Sequence, residues 1–92
     1  MLASPSPRIA VVADHDPTAP SHLATDAALR IARDTRFPSL EYEWVPTDGV
    51  SIAALERFNG IWAGPRSPYA DPEGMYAAIR YARESGKPFV AT

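Results

Sequence analysis

The 92-residue sequence contains no cysteine. A chain without cysteine has no disulfide framework and no thiol that could act as a nucleophile. The sequence also lacks an apolar run long enough to cross a bilayer, and residues 1–7 lack the basic start and apolar core of a signal peptide. We therefore expect a cytoplasmic protein with no membrane partner.

An excess of positive charge is missing as well, since 9 Lys and Arg residues face 11 Asp and Glu residues, for a net charge of -2. A basic surface is what draws proteins to phosphate backbones, so nucleic acid is not expected as a partner. What is present is 46% apolar residues, 10% of the chain being aromatic, which is typical of a folded globular protein. This length suits one domain, which buries about two-thirds of the surface of its unfolded chain.

Hydrophobic patterns predict strands that alternate with helices. Strands are predicted at 9–13, 40–45, 60–63 and 89–91, and helices at 21–35, 52–58 and 72–85. The first, third and fourth strands are uniformly apolar, as in strands covered on both faces. The second strand alternates, with Glu41 and Glu43 on one face, which is typical of an edge strand.

The order of these elements predicts an α/β fold, a flavodoxin-like three-layer arrangement around a parallel sheet with strand order 2-1-3-4. Residues 1–7 are expected to be a disordered terminus, and residues 8–92 to be a single domain truncated after its fourth strand. In this order the fourth strand would normally have a fifth beside it, and without one it is an exposed apolar edge. We therefore expect self-association through this strand.

Each predicted helix has its own capping residues or apolar face. In the first helix Ser21 is the expected N-cap, and an apolar stripe at helical spacing predicts a buried face. That stripe consists of Leu23, Ala27 and Ile31, with Ala24 and Ala28 beside them. In the second helix Ile52, Leu55 and Phe58 share the apolar face, and the third has Asp71 as N-cap, Pro72 at its first position and Gly86 after its end.

Two stretches could carry chemistry. Asp14, His15, Asp16 and His22 cluster after the first strand, but their spacing matches no known metal pattern, and a solvated turn is favoured over a metal site. The loop at 64–69, Gly-Pro-Arg-Ser-Pro-Tyr, joins the third strand to the third helix. It is either a rigid connection or a preorganised site for a negatively charged oxygen, and loop chemistry alone does not separate these two interpretations.

Several segments together resemble a known family. They are 60–69 (GIWAGPRSPY), Glu73-Gly74, 78–84 (AIRYARE) and Pro88-Phe89, supported by 8–12 (RIAVV) with Asp14 and His22, and by Glu43-Trp44-Val45 with Thr47. The sequence is similar to the amidotransferase domain of CTP synthase, a class I glutamine amidotransferase. It is more similar to the shorter proteins described as CTP synthase C-terminal region-related.

This resemblance implies a glutaminase that needs no cofactor and uses a Cys-His-Glu triad to release ammonia from glutamine. The triad cysteine would follow Thr92 directly, so no catalytic residue lies within the chain. The oxyanion and substrate loop would consist of Gly64, Pro65, Arg66, Ser67 and Tyr69. The chain would then supply one half of the site and be inactive by itself, and a synthase domain or another protein would be its partner.

Two departures from the family pattern stand out. Arg66 replaces a small residue, and it would be strained by about 1 kcal/mol if the loop requires a positive φ there. The sequence also stops before the nucleophile, as expected if a UGA codon for selenocysteine was read as a stop, or if the chain is an ordinary truncation or a cloned fragment. The alternative to an enzyme is a non-catalytic binding or assembly module on the same fold.

Overall fold

The computed structural model describes residues 7–65 and 68–92. The predictions for residues 1–6 of the terminus, and for Arg66 and Ser67 of the loop, fall outside these ranges. The described strands are β1 (Arg8–Val12), β2 (Glu41–Val45), β3 (Gly60–Ala63) and β4 (Phe89–Ala91), and the helices are α1 (Pro20–Thr35), α2 (Ile52–Leu55) and α3 (Pro72–Ser85). A 3₁₀ turn, Thr47–Gly49, precedes α2. Among these residues, none of the helices combines the length and apolarity needed to cross a membrane.

The strands form one parallel sheet in the order β2-β1-β3-β4, which confirms the predicted flavodoxin-like fold. Val12, at the end of the central strand, is paired with Val45 on one side and Ala63 on the other. Ala63 in turn pairs with Ala91 of β4. Because this register has almost no stagger, all four strands reach the carboxyl end of the sheet together, where parallel sheets of this type bind ligands.

The two faces of the sheet are covered unequally. On one face, α2 and α3 pack over β1, β2 and β3 in the larger core, which comprises Ala10, Val12, Val45, Leu55, Phe58, Ile61, Ala63, Met75, Ala78 and Ala82. On the other face, α1 contributes Leu29 to a smaller core with Val11 and Leu40. Beside α1, an apolar cleft of about 220 Å³ lies along β3 and β4 and is lined in part by Trp62 and Val90.

The buried face of α1 is not the predicted one. Leu23 and Ile31 are 50% and 62% exposed, whereas His22, Thr25 and Leu29 face the protein interior. Two polar residues can occupy this face because each has a partner: Thr25 donates to the Ser21 carbonyl, and both ring nitrogens of His22 are hydrogen-bonded. Apolar periodicity cannot identify a helix face that is buried through hydrogen bonds.

The predicted cap of α1 was also wrong. The helix begins at Pro20, and its N-cap is Ala19, which makes no side-chain hydrogen bond. Proline at the first helical position has no N–H to satisfy and already has a helical φ, so a capping side chain is less necessary there. In α3 the prediction is confirmed, since the Asp71 side chain accepts from the Gly74 N–H and Gly86 closes the helix with a φ of 73°.

Helix α2 ends at Leu55, earlier than predicted, and Ile52 is 64% exposed rather than buried. The Lys87 ammonium donates to the carbonyls of Leu55 and Glu56 at 3.2 and 3.3 Å. These contacts satisfy carbonyl groups that the end of a helix leaves without intrahelical partners. A distant lysine therefore helps to end this helix, which a local reading of the sequence cannot anticipate.

Gly74 allows α3 to approach the 3₁₀ turn closely. A Cβ atom at position 74 would lie 1.8 Å from the Thr47 carbonyl oxygen, far inside contact distance. Thr47 is itself only 1% exposed, so it has no free space to move into. The first turn of α3 and the segment after β2 can be this close only because residue 74 has no side chain.

We expect Gly74→Ala to lower the free energy of unfolding by about 3 kcal/mol, because the backbone of Thr47 or of α3 must shift. Gly86→Ala is the matched control, since nothing lies within 4 Å of its added Cβ and only the positive φ opposes it. It should cost about 1 kcal/mol. Urea unfolding followed by circular dichroism measures both values, and equal losses would contradict the close approach.

Candidate functional site at the carboxyl end of the sheet

Backbone hydrogen bonds continue the sheet one residue beyond its strands. The Gly64 N–H donates to the Val12 carbonyl at 2.9 Å, and the Thr92 N–H donates to the Ala63 carbonyl at 3.1 Å. On the other side of β1, the Ala13 N–H donates to the Val45 carbonyl at 3.0 Å. The start of the 64–69 loop and the residue after β4 therefore lie side by side at the carboxyl end of the sheet.

Asp14, the second residue after β1, connects three segments of the chain. Its carboxylate accepts hydrogen bonds from the Thr47 N–H at 2.9 Å, the Thr47 hydroxyl at 3.0 Å and the Ala70 N–H at 2.7 Å. The Thr47 hydroxyl oxygen also accepts from the Asp71 N–H at 2.9 Å. We call these four residues the Asp14 network, and it joins the end of β1 to the turn after β2 and to the start of α3.

The Asp14 network also affects the charge of the carboxyl group. Burial acts to raise the pKa of Asp14, but the hydrogen bonds donated by Ala70 and Thr47 outweigh it, so the pKa is lowered overall. Hydrogen bonds donated to a carboxylate stabilise its ionised form. Asp14 is therefore a carboxylate at neutral pH, and its charge is used within the fold.

His22 is fully buried on α1 and contacts the 64–69 loop. Its Nδ1 atom accepts from the Asp16 N–H at 2.8 Å, and its Nε2 atom lies 3.0 Å from the Pro65 carbonyl oxygen. An Nδ1 atom that accepts a hydrogen bond carries no proton, so the ring proton is on Nε2. The Nε2–H group then donates a hydrogen bond to the Pro65 carbonyl oxygen. The tautomer follows from these two partners.

The 64–69 loop is held by contacts at both of its ends. The Tyr69 hydroxyl donates to the Gly64 carbonyl at 2.8 Å, His22 binds the Pro65 carbonyl, and the next residue, Ala70, donates to Asp14. Of the predicted site residues, Gly64, Pro65 and Tyr69 are thus at the carboxyl end of the sheet. Arg66 and Ser67 lie outside the described residues, and so does the predicted strain at Arg66.

A cleft of about 300 Å³ opens beside this loop. It lies between α1 and the ends of β3 and β4, and its lining includes Ser21, Thr25, Trp62, Pro65 and Thr92. The Trp62 indole donates to the Thr92 hydroxyl at 3.0 Å, which positions the residue after β4 at the cleft. The cleft thus combines an apolar wall with hydroxyl groups, as small-molecule sites do.

The acidic and histidine residues after β1 do not converge on a common point. Asp14 bonds Thr47 and Ala70, Asp16 bonds Thr18, and the His15 ring stacks on Trp44 with 4.3 Å between ring centroids. In the described ranges, 7–65 and 68–92, no three His, Asp or Glu side chains are grouped as metal ligands would be.

A second cluster, around Asp26 of α1, was missed by sequence reasoning. Asp26 accepts from the Tyr42 hydroxyl and the Trp44 indole, both at 2.9 Å, and lies 3.5 Å from the His15 ring. Burial acts to raise the pKa of Asp26, but the bonds from Trp44 and Tyr42 outweigh it and lower the pKa. In the sequence, the alternation of β2 indicates that Tyr42 and Trp44 share one face. It does not indicate that Asp26 of α1 accepts hydrogen bonds from both.

Comparison with known proteins finds no matching family model and no significant match among curated proteins or solved structures. The geometry at the carboxyl end of the sheet is therefore the basis on which a function can be argued.

We expect Asp14→Asn to destabilise the protein by about 2 kcal/mol at neutral pH, because an amide replaces a carboxylate that accepts several hydrogen bonds. A carboxyl group with a lowered pKa in the folded protein stabilises it when the pH is above the pKa of the unfolded state, 3.8. That stabilisation is lost as the pH falls through the lower pKa of the folded state. The variant should therefore lose less stability than the wild type on acidification below pH 3.8.

Urea unfolding at neutral and acidic pH measures this difference. Asp34→Asn is the control, because Asp34 is exposed on α1. If the two variants lose the same stability between neutral and acidic pH, the assigned role of the Asp14 carboxylate is wrong.

Proposed function

We propose that the carboxyl end of this sheet is the substrate-loop half of a glutaminase site of the class I glutamine amidotransferase type. In this proposal the 64–69 loop binds the reacting carboxamide of glutamine, and a nucleophile outside these 92 residues attacks it. In this proposal the 92 residues, which contain no cysteine, are inactive by themselves. The resemblance described under Sequence analysis suggests an amidotransferase related to CTP synthase.

The observation that carries the proposal is the position of Thr92 beside the 64–69 loop. The Thr92 N–H is bonded to Ala63, one residue before the loop, and Thr92 and Pro65 line the same cleft. A nucleophile attached next to Thr92 would therefore reach a carboxamide bound at the loop. Nucleophilic attack requires this proximity, because the reacting atoms must start about 3 to 3.5 Å apart.

The contacts at the two described ends of the loop support the same function. Attack on a carboxamide produces a negatively charged tetrahedral oxygen, which is stabilised best by donors that do not have to reorganise. The carbonyl groups of Gly64 and Pro65 are already bonded to Tyr69 and His22, so neither is free to face that charge. The resemblance assigns the oxyanion in part to a backbone N–H of the segment 65–67, of which Arg66 and Ser67 lie outside the described residues.

The proposal predicts that the chain binds glutamine without hydrolysing it. Because the proposal assigns only part of a site to these residues, we expect a Kd on the order of 1 mM, observed as shifts of the Gly64, Tyr69 and Ala70 amides in ¹H–¹⁵N spectra. Tyr69→Phe removes the donor to the Gly64 carbonyl and should weaken binding several-fold.

Tyr76→Phe is the matched control, because Tyr76 is 57% exposed on α3 and its loss should leave glutamine binding unchanged. Glutamate serves as the ligand control. Ammonia release by the purified chain, or a glutamine titration that leaves the three loop amides unmoved, would contradict the proposal.

A second candidate function is an assembly module, and the exposure of β4 favours it. Phe89 and Val90 are 42% and 49% exposed, and β4 is hydrogen-bonded to β3 on one side in the described sheet. An apolar strand at a sheet edge is a template for pairing with another chain. The module would then bind a second copy through this strand, with or without a glutamine site.

Sedimentation equilibrium tests this candidate. We expect the wild type to associate reversibly and Val90→Lys to weaken the association at least about tenfold, because a charge would be buried in the new contact. Ile52→Lys is the control, since Ile52 is 64% exposed at a distant position on α2. A wild type that remains monomeric at millimolar concentration would rule the module out.

A further inference from the structure

We infer that His22 is a positioning residue that fixes the direction of the Pro65 carbonyl and thereby the start of the 64–69 loop. The inference concerns the loop geometry, and it rests on the proposed function for what the loop binds. His22 lies on α1, outside the loop. From the sequence it was a possible metal ligand and one of the residues that carry the family resemblance, and neither interpretation gave it a contact with the loop.

The contacts of His22 form a directional chain. The Asp16 N–H donates to Nδ1 at 2.8 Å, which requires Nδ1 to be unprotonated. The ring N–H is then at Nε2, and it donates a hydrogen bond to the Pro65 carbonyl oxygen at 3.0 Å. If the ring were the other tautomer, an N–H would face the Asp16 N–H and a lone pair would face the carbonyl oxygen. Both contacts would be repulsive, so the backbone of Asp16 selects the tautomer that holds the loop.

The surroundings of the ring prevent it from turning away. His22 has no exposed surface, and its ring lies 4.8 Å from the Trp44 ring and 5.7 Å from the His15 ring. Trp44 is itself fixed by its indole bond to Asp26. The ring of His22 is therefore held between aromatic neighbours and two backbone partners, which is the condition for a supporting side chain to orient another group.

The direction of the Pro65 carbonyl matters for the chemistry proposed at the loop. A backbone carbonyl that faced the reacting carboxamide would repel the negative charge that develops on its oxygen. Because it accepts a hydrogen bond from the Nε2–H group, the Pro65 oxygen points to α1 and is satisfied there. His22 does not touch the substrate in this arrangement and acts only through Pro65.

Two variants separate the two hydrogen bonds of His22. The amide nitrogen of glutamine can occupy the place of Nε2 and donate to Pro65, whereas the shorter asparagine has its polar atoms near Nδ1 and cannot reach Pro65. Both His22→Gln and His22→Asn lose one bond of a fully buried ring, so both should be less stable than the wild type. Their stabilities therefore do not identify a positioning role, but their effects on the loop do.

The experiment measures glutamine binding and the Gly64, Tyr69 and Ala70 amide shifts in the wild type and both variants. We expect His22→Gln to bind glutamine within about threefold of the wild type, with loop amide shifts close to wild-type values, and His22→Asn to bind at least about tenfold more weakly. Equal affinity and equal loop shifts in both variants would overturn the inference.

A measurement on the wild type keeps the test valid if His22→Asn does not fold. Long-range ¹H–¹⁵N correlations of the imidazole should show the ring proton on Nε2 and an unprotonated Nδ1, and a proton on Nδ1 would overturn the inference. If this signature is present but the wild type fails to bind glutamine, the proposed function is wrong, while the geometric role of His22 remains supported.

Discussion

The carboxylate of Asp14 is the constraint on which the arrangement of the sheet's carboxyl end depends. It receives hydrogen bonds from Thr47, in the turn after β2, and from Ala70, at the start of the third crossover. These segments come from opposite sides of β1, so one side chain sets the distance between them. The approach of Gly74 to the Thr47 carbonyl is a consequence, because the Asp14 network places Thr47 against the first turn of α3.

Much of the fold could be predicted because its strands differ in pattern. The uniformly apolar runs at 9–13 and 60–63 indicated central strands, and Glu41 and Glu43 indicated an edge, which together predict the observed order. The face of α1 was predicted wrongly because His22 and Thr25 are buried through hydrogen bonds, and hydrophobic periodicity contains no information about them. At the early end of α2 the Leu55 carbonyl is bonded by Lys87, which is distant in sequence.

The sequence was sufficient to predict the location of the candidate site, but not the hydrogen bonds that hold it. Gly64, Pro65 and Tyr69 follow a buried strand and precede a capped helix, and that order alone locates them at the carboxyl end of a parallel sheet. The bonds from His22 to Pro65 and from Asp14 to Ala70 join residues far apart in the chain. Residue type indicated that Asp14 and His22 could take part in chemistry, whereas only the folded arrangement shows which backbone groups they bind.

The position of β1 at the centre of the sheet has a consequence for synthesis on the ribosome. Ala10, Val11 and Val12 have no exposed surface in the folded chain, and they pair with β3, which is made about 50 residues later. While the intervening segment is being translated, β1 has one of its neighbouring strands at most. Strand β1 therefore leaves the exit tunnel before β2, β3 and β4 and gains its second neighbour only when β3 follows. During that interval its apolar residues are exposed, which is the condition that makes an incompletely folded chain prone to aggregation.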